Sequence, residues 1–151
     1  MGTKPIGTTK YKHMDIVSKE KRSEIMSKIK GKDTKPEKIV RSLLHAMGYR
    51  FRLHRKDLPG KPDIVLPKHK TVIFVHGCFW HGHNSCSRSN IPKSNSEYWI
   101  GKINRNIQRY NTNRALLVQK GWKVLVIWEC QTKDREHLRL FLTEHLEGLY
   151  V

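Results

Sequence analysis

Pro62-Asp63-Ile64-Val65-Leu66 and Thr71-Val72-Ile73-Phe74-Val75-His76 are two apolar runs separated only by Pro67-Lys68-His69-Lys70. Proline cannot donate to a ladder, so Pro62 sits at the opening of the first strand and not inside it. The second run is apolar without alternation, the pattern of a strand covered on both faces. Upstream, Leu58-Pro59-Gly60-Lys61-Pro62 reads as a turn. Before it, Tyr49, Phe51 and Leu53 alternate with Arg50, Arg52 and His54, which predicts a half-buried strand. A helix precedes that strand: Asp33 or Thr34 can cap it, Pro36 suits its first turn, and Ile39, Val40, Leu43, Leu44 and Met47 mark one face. Gly48 ends it. Downstream, Trp99, Ile103, Ile107, Tyr110 and Leu117 keep helical spacing over residues 96–120, Trp122 to Trp128 reads as a central strand, and residues 134–147 as a last helix. The order predicts a single α/β domain with a mixed central sheet flanked by helices.

The charge balance bounds the partner. Thirty Lys and Arg stand against thirteen Asp and Glu, a net charge of +17, with pI ≈ 10.1. So large an excess predicts a polyanion, because neutralising phosphates releases condensed counterions. Residues 1–13 read as an expression leader without apolar period, since His13-Met14 is what a common cloning site leaves behind. The functional domain is then 14–151, opening with a charged, helix-prone segment over 14–32 that can order against DNA. No apolar run approaches the roughly 18 residues of a membrane helix. A cytoplasmic, nucleoid-associated monomer with no membrane partner is the expectation.

Residues 76–95 break every period and concentrate His, Cys, aromatic, Gly and Asn residues, so they read as a site loop. Asp63 at the head of one strand and the end of its neighbour, Val75-His76, can share a hard divalent cation. Mg²⁺ takes oxygen ligands and keeps several waters, so one carboxylate with a carbonyl and substrate phosphates suffices. A turn or capping aspartate gives the same dipeptide. Many nucleases of this architecture carry an acid-x-Lys triplet on the second strand; here Val75-His76-Gly77 offers His76 instead, and a neutral imidazole can orient or deprotonate a metal-bound water near pH 7.

Further along the loop, the spacing His83-x-x-Cys86 suits zinc, which wants four ligands. Cys130, beyond the Val124–Trp128 strand, is the natural third, and His54, with Asp57 behind it, the candidate fourth. The alternative is that the cysteines are small buried hydrophobes. An odd count of three in a chain with no export signal argues against a disulfide framework. Phe79 and Trp80 are read as exposed in this polar loop, with Trp99 at the head of the long helix. Two adjacent aromatics between Cys and His are not expected to share one core, and apolar wedges are a known means of prying open base steps. One of the pair packing in the core remains the other reading.

Together, Thr34-Lys35-Pro36-Glu37, Gly48-Tyr49-Arg50-Phe51-Arg52, Leu58 to Asp63, Phe74 to His83, Tyr98-Trp99 with Lys102, Ile103 and Asn106, and Gly121-Trp122 through Trp128-Glu129-Cys130 resemble the very-short-patch repair (Vsr-type) mismatch endonucleases. The resemblance spans nearly the whole chain from Met14. It implies a restriction-endonuclease-like core with a structural zinc site, nicking one strand of double-stranded DNA 5′ of the T in a T:G mismatch with Mg²⁺. It also implies initiation of very-short-patch repair of deaminated 5-methylcytosine, with MutL-type factors and a cognate cytosine methyltransferase system as partners.

By that resemblance Asp63 is the metal-bridging carboxylate and Val75 gives its carbonyl to the metal. His76 and His81 are the active-site histidines, and Glu37 is an acid beside them. Phe79, Trp80 and Trp99 are the intercalators, and His83, Cys86 and Cys130 the zinc ligands. Two departures stand out. Tyr110 follows Arg109 where the family often has Asp, and the span between His83 and Cys86 is one residue longer. The competing functions are a homing-type or sequence-specific nicking endonuclease on matched DNA, and a zinc-stapled DNA-binding domain without catalysis. Asp63 with His76 and His81 speaks against the last, since binding alone needs no such set.

Overall fold

A computed structural model describes residues 33–147. The expectations for the leader and for the helical segment at 14–32 lie outside them. The described residues fall into two compact units: one takes the chain as far as Gly77 and again from Arg109, the other is Cys78–Gln108. None of the described helices is long and apolar enough to cross a membrane.

The larger unit begins with α1 (Lys35–Ala46), whose start is chemically explicit. Thr34 is the N-cap, its hydroxyl accepting from the Glu37 N–H at 3.3 Å, while the Glu37 carboxylate accepts from the Asp33 N–H at 3.0 Å. The first bond satisfies a donor that a helix start otherwise leaves to water, and the second ties down the residue before the cap. Beyond the C-terminal end of α1, Gly48 takes φ +89°, a left-handed turn that costs glycine little.

The sheet has four strands in the order β1 (Arg52–Leu53), β2 (Ile64–Leu66), β3 (Thr71–His76) and β4 (Lys123–Trp128). β1 and β2 pair antiparallel, β2 and β3 antiparallel, and β3 and β4 parallel from Thr71↔Lys123 to His76↔Trp128. Strand alternation sorts the side chains by face. Ile64, Leu66, Ile73, Leu125 and Ile127 join Val40, Leu43 and Leu44 of α1 and Leu138 and Leu142 of α3 (Arg135–Glu147). On the other face Val65, Val72 and Phe74 join Leu58, Trp122 and Leu117, the last from α2 (Ser96–Gln119). Apolar side chains cover β2 and β3 on both sides, as their unbroken apolar runs require. The mixed sheet flanked by helices is the expected architecture.

One element is shorter than its pattern. The alternation from Tyr49 to His54 yields only two paired residues, Arg52 and Leu53, both exposed. Tyr49 and Phe51 are partly buried against the α1–α3 side of the core, and His54 turns out of the strand at φ +53°. The apolar alternation is thus satisfied by packing on helices, with little ladder.

Candidate active site and metal-binding loop

In the larger unit, Asp63 lies directly before β2 and faces β3 across the antiparallel pair. The Val75 N–H donates to Asp63 Oδ2 at 2.7 Å. Burial pushes this carboxyl up to about 7; the Val75 hydrogen bond opposes the rise, and the negative charge of Glu37 adds to it. A carboxylate offers about four lone-pair positions, so one N–H leaves room for a cation. An ion there offsets the desolvation that makes the charged form costly. The donor set therefore fits a hard divalent metal, and Val75, the intended carbonyl ligand, is already tied to the same carboxylate.

His76 closes β3 and is buried. Its ring meets the Tyr110 ring edge-on, with centroids 4.7 Å apart at 86°, and the Trp128 ring at 5.2 Å and 77°. The position where the resemblance expects an aspartate therefore places an aromatic ring against the imidazole.

Glu37 is buried, 3% exposed, and its carboxylate is committed to its own helix start. Arg41, one turn on, places Nη2 3.2 Å from Glu37 Oε1, 2.6 Å from Asp33 Oδ1 and 3.3 Å from His54 Nε2. His54 Nε2 is also 3.0 Å from Asp33 Oδ1. Hydrogen bonds from Arg41 and then His54 hold the Asp33 carboxyl down at about 2. His54, the candidate fourth zinc ligand, is thus gathered with Asp33 and Glu37, their ligand atoms within 4.8 Å of one another, and a guanidinium supplies the positive charge among them.

In the smaller unit Cys78, His83 and Cys86 each offer a ligand atom, and these atoms lie within 4.8 Å of one another. Two thiols and an imidazole are a soft donor set, suited to zinc. The His83 N–H donates to the Cys78 carbonyl at 2.9 Å, and Ser89 Oγ lies 2.7 Å from the His83 carbonyl and 2.8 Å from that of Cys86. Ser85, between His83 and Cys86, takes φ +57°, a left-handed turn within the loop. Cys78 was not singled out from the sequence. Its spacing, Cys78-x4-His83-x2-Cys86, was the available signal, and it makes sense only once the loop closes on itself.

The exposure expected for the aromatics needs correction. Phe79 is 3% and Trp99 0% exposed, packed with Ile103, while Trp80 is partly buried against them. The rings meet edge-on: Phe79–Trp80 at 5.1 Å and Phe79–Trp99 at 5.6 Å. Gly82 makes this possible. It adopts φ +60°, and a Cβ there would lie 3.0 Å from Ile103 Cγ2, so a side chain would be strained and would force the isoleucine to shift. Asn106 Nδ2 pins it further by donating to the Trp80 carbonyl at 2.9 Å. Adjacent aromatics do share one core here. Gly82→Ala combines the backbone strain with the clash and lowers stability by about 1–3 kcal/mol, measured by urea unfolding.

The family described as DNA mismatch endonuclease Vsr matches residues 14–88. The type II nicking enzyme V.XorIIP of Xanthomonas oryzae pv. oryzae is 53% identical over 120 residues, 80% of this chain and 88% of that protein. V.NmeAIP of Neisseria meningitidis, also a type II nicking enzyme, is 50% identical over 121 residues, 80% of this chain and 86% of that one. The DNA mismatch endonuclease Vsr of Escherichia coli is 42% identical over 134 residues, 88% of this chain and 85% of that protein.

The chain belongs to the Vsr family. Vsr-family proteins are DNA endonucleases, and the mixed sheet with flanking helices agrees with their restriction-endonuclease-like fold. Hydrolysis of a DNA phosphodiester is accordingly the reaction of the family to which the chain belongs.

Proposed function

We propose that the protein nicks one strand of duplex DNA 5′ of the T in a T:G mismatch, starting very-short-patch repair of deaminated 5-methylcytosine. The observation that carries the proposal is a desolvated carboxylate, Asp63, fixed by the Val75 N–H at a strand head whose neighbouring strand ends in a buried histidine. Asp63 and the Val75 carbonyl would hold Mg²⁺, which would supply Lewis-acid polarisation of the phosphodiester. His76 and His81 take the imidazole roles, orienting water and contacting the phosphate. Glu37, through Arg41 and the Asp33 backbone, keeps the acidic side of the site in place. The zinc ligands are Cys78, His83 and Cys86, with Cys130 as the fourth, so that Cys78 takes the place first given to His54. MutL-type factors and a cytosine methyltransferase system belong to the same reading.

Mismatch preference comes from the aromatic cluster. A mismatched step unstacks at lower cost, so a wedge favours it. Trp80, only partly covered, is the ring presented in the unbound protein, while Phe79 and Trp99 support it and reach DNA after the loop shifts. Trp80→Ala lowers affinity for a T:G duplex by about tenfold, within the range of base–aromatic stacking, and affinity for the matched duplex less. Equal losses on both, in parallel titrations, speak against insertion.

V.XorIIP and V.NmeAIP are named type II nicking enzymes, with no mismatch in the name, and the second reading is nicking at a fixed sequence in matched DNA. End-labelled matched and T:G duplexes in varied flanking contexts, incubated with Mg²⁺, separate the two. A nick 5′ of the T confined to mismatched duplexes supports the first reading, and equal nicking of a matched duplex at one sequence supports the second.

A further inference from the structure

We infer that Tyr110 is a positioning residue for His76, setting the orientation of the imidazole through ring contact. The inference rests on the reading of His76 as an active-site group. His76 is the last residue of β3, where a side chain keeps rotamer freedom unless its neighbours remove it. Three rings do so. Tyr110 of α2 meets the imidazole at 4.7 Å and 86°, Trp128 at the end of β4 at 5.2 Å and 77°, and Phe74 at 6.0 Å and 54°.

Tyr110 also meets Phe74, at 5.5 Å and 86°. Phe74 and His76 are two apart on one strand and share a face, so a single tyrosine ring braces both. The brace is itself fixed. Tyr110 is partly buried against the Val65, Val72, Phe74 and Leu117 cluster, and its hydroxyl lies beside the Arg114 side chain. Edge-to-face geometry is directional, because a ring's positive edge seeks its neighbour's negative face, and it therefore selects an imidazole orientation as well as a volume. The ring performs this work, and the hydroxyl only anchors it.

The test uses the full chain with Tyr110→Phe, Tyr110→Leu and, as a second ring-less variant of similar bulk, Tyr110→Met. Thermal melts first identify which ring-less variant folds. Single-turnover cleavage of a T:G duplex, the Kd for that duplex, and the NMR shifts of the His76 ring protons are then compared. The folded ring-less variant cleaves about tenfold more slowly, as small misplacement of a reacting group does, with Kd within about twofold. Its His76 ring protons lose the ring-current displacement that Tyr110 imposes, and Tyr110→Phe restores both rate and shift. Wild-type cleavage in the ring-less variant, or a Tyr110→Phe protein as slow as it, overturns the inference. His76→Ala is the control. If it is inactive while the ring-less variant is fully active, only the positioning role falls. If His76→Ala cleaves normally, the catalytic reading falls and the inference with it.

Discussion

Asp63→Asn lowers cleavage on the order of a thousandfold or more, about 4 kcal/mol of transition-state stabilisation, and leaves duplex binding nearly unchanged. The variant is nearly isosteric, and its amide oxygen still accepts from the Val75 N–H, so the head of β2 keeps its place. It removes a charge that the site disfavours until a cation arrives: burial has pushed the Asp63 carboxyl up to about 7. The metal-free variant therefore melts no lower than the wild type at pH 8. Rapid-quench cleavage, a binding titration and a melt read the three quantities separately. Loss of folding together with cleavage would mark Asp63 as structural. Cleavage near the wild-type rate would remove it from the chemistry.

Withdrawing zinc has the largest expected effect on stability. The smaller unit has a modest core of its own, Phe79, Trp99 and Ile103 with Trp80 and Ile107 packed against it. Zinc held by Cys78, His83 and Cys86, as proposed, would tie the loop at the point where Gly82 lays it on α2. Structural zinc in small peptides contributes about 10–16 kcal/mol, and losing even 4 kcal/mol of that shifts Tm by about 8–16 °C in a protein of this size. A zinc-selective chelator, applied without DNA or Mg²⁺, produces that fall, and Cys86→Ser reproduces much of it. Metal analysis finds one zinc per chain beforehand. A melt indifferent to the chelator, with no zinc detected, contradicts the assignment.

The features legible in the sequence are those whose cause is local. The start of α1 is written in Thr34, Pro36 and Glu37, and the turn that follows it in Gly48, because each satisfies a backbone demand within one turn. β2 and β3 follow from two unbroken apolar runs, and Asp63 and His76 from their places at the strand ends. What escaped is tertiary. The alternation at Tyr49 to Leu53 is the same whether the residues pair or pack on helices, and here packing takes most of them.

The seclusion of Phe79 and Trp99 depends on a glycine lying against Ile103, a contact with no trace in the local pattern. His54 looks like a metal ligand by residue type, but its ring is engaged by Asp33 and Arg41, whose proximity only the folded chain creates. Tyr110 was legible as a departure, whereas its edge-on contact with His76 exists only in the folded chain.

The most direct test of the account is where a divalent cation sits. Crystals of the protein with a T:G duplex, soaked in Mn²⁺, locate it by anomalous scattering. A peak is expected at about 2.0–2.3 Å from an Asp63 carboxylate oxygen, with the Val75 carbonyl in its shell. A peak among Asp33, Glu37 and His54 instead, with none at Asp63, contradicts it.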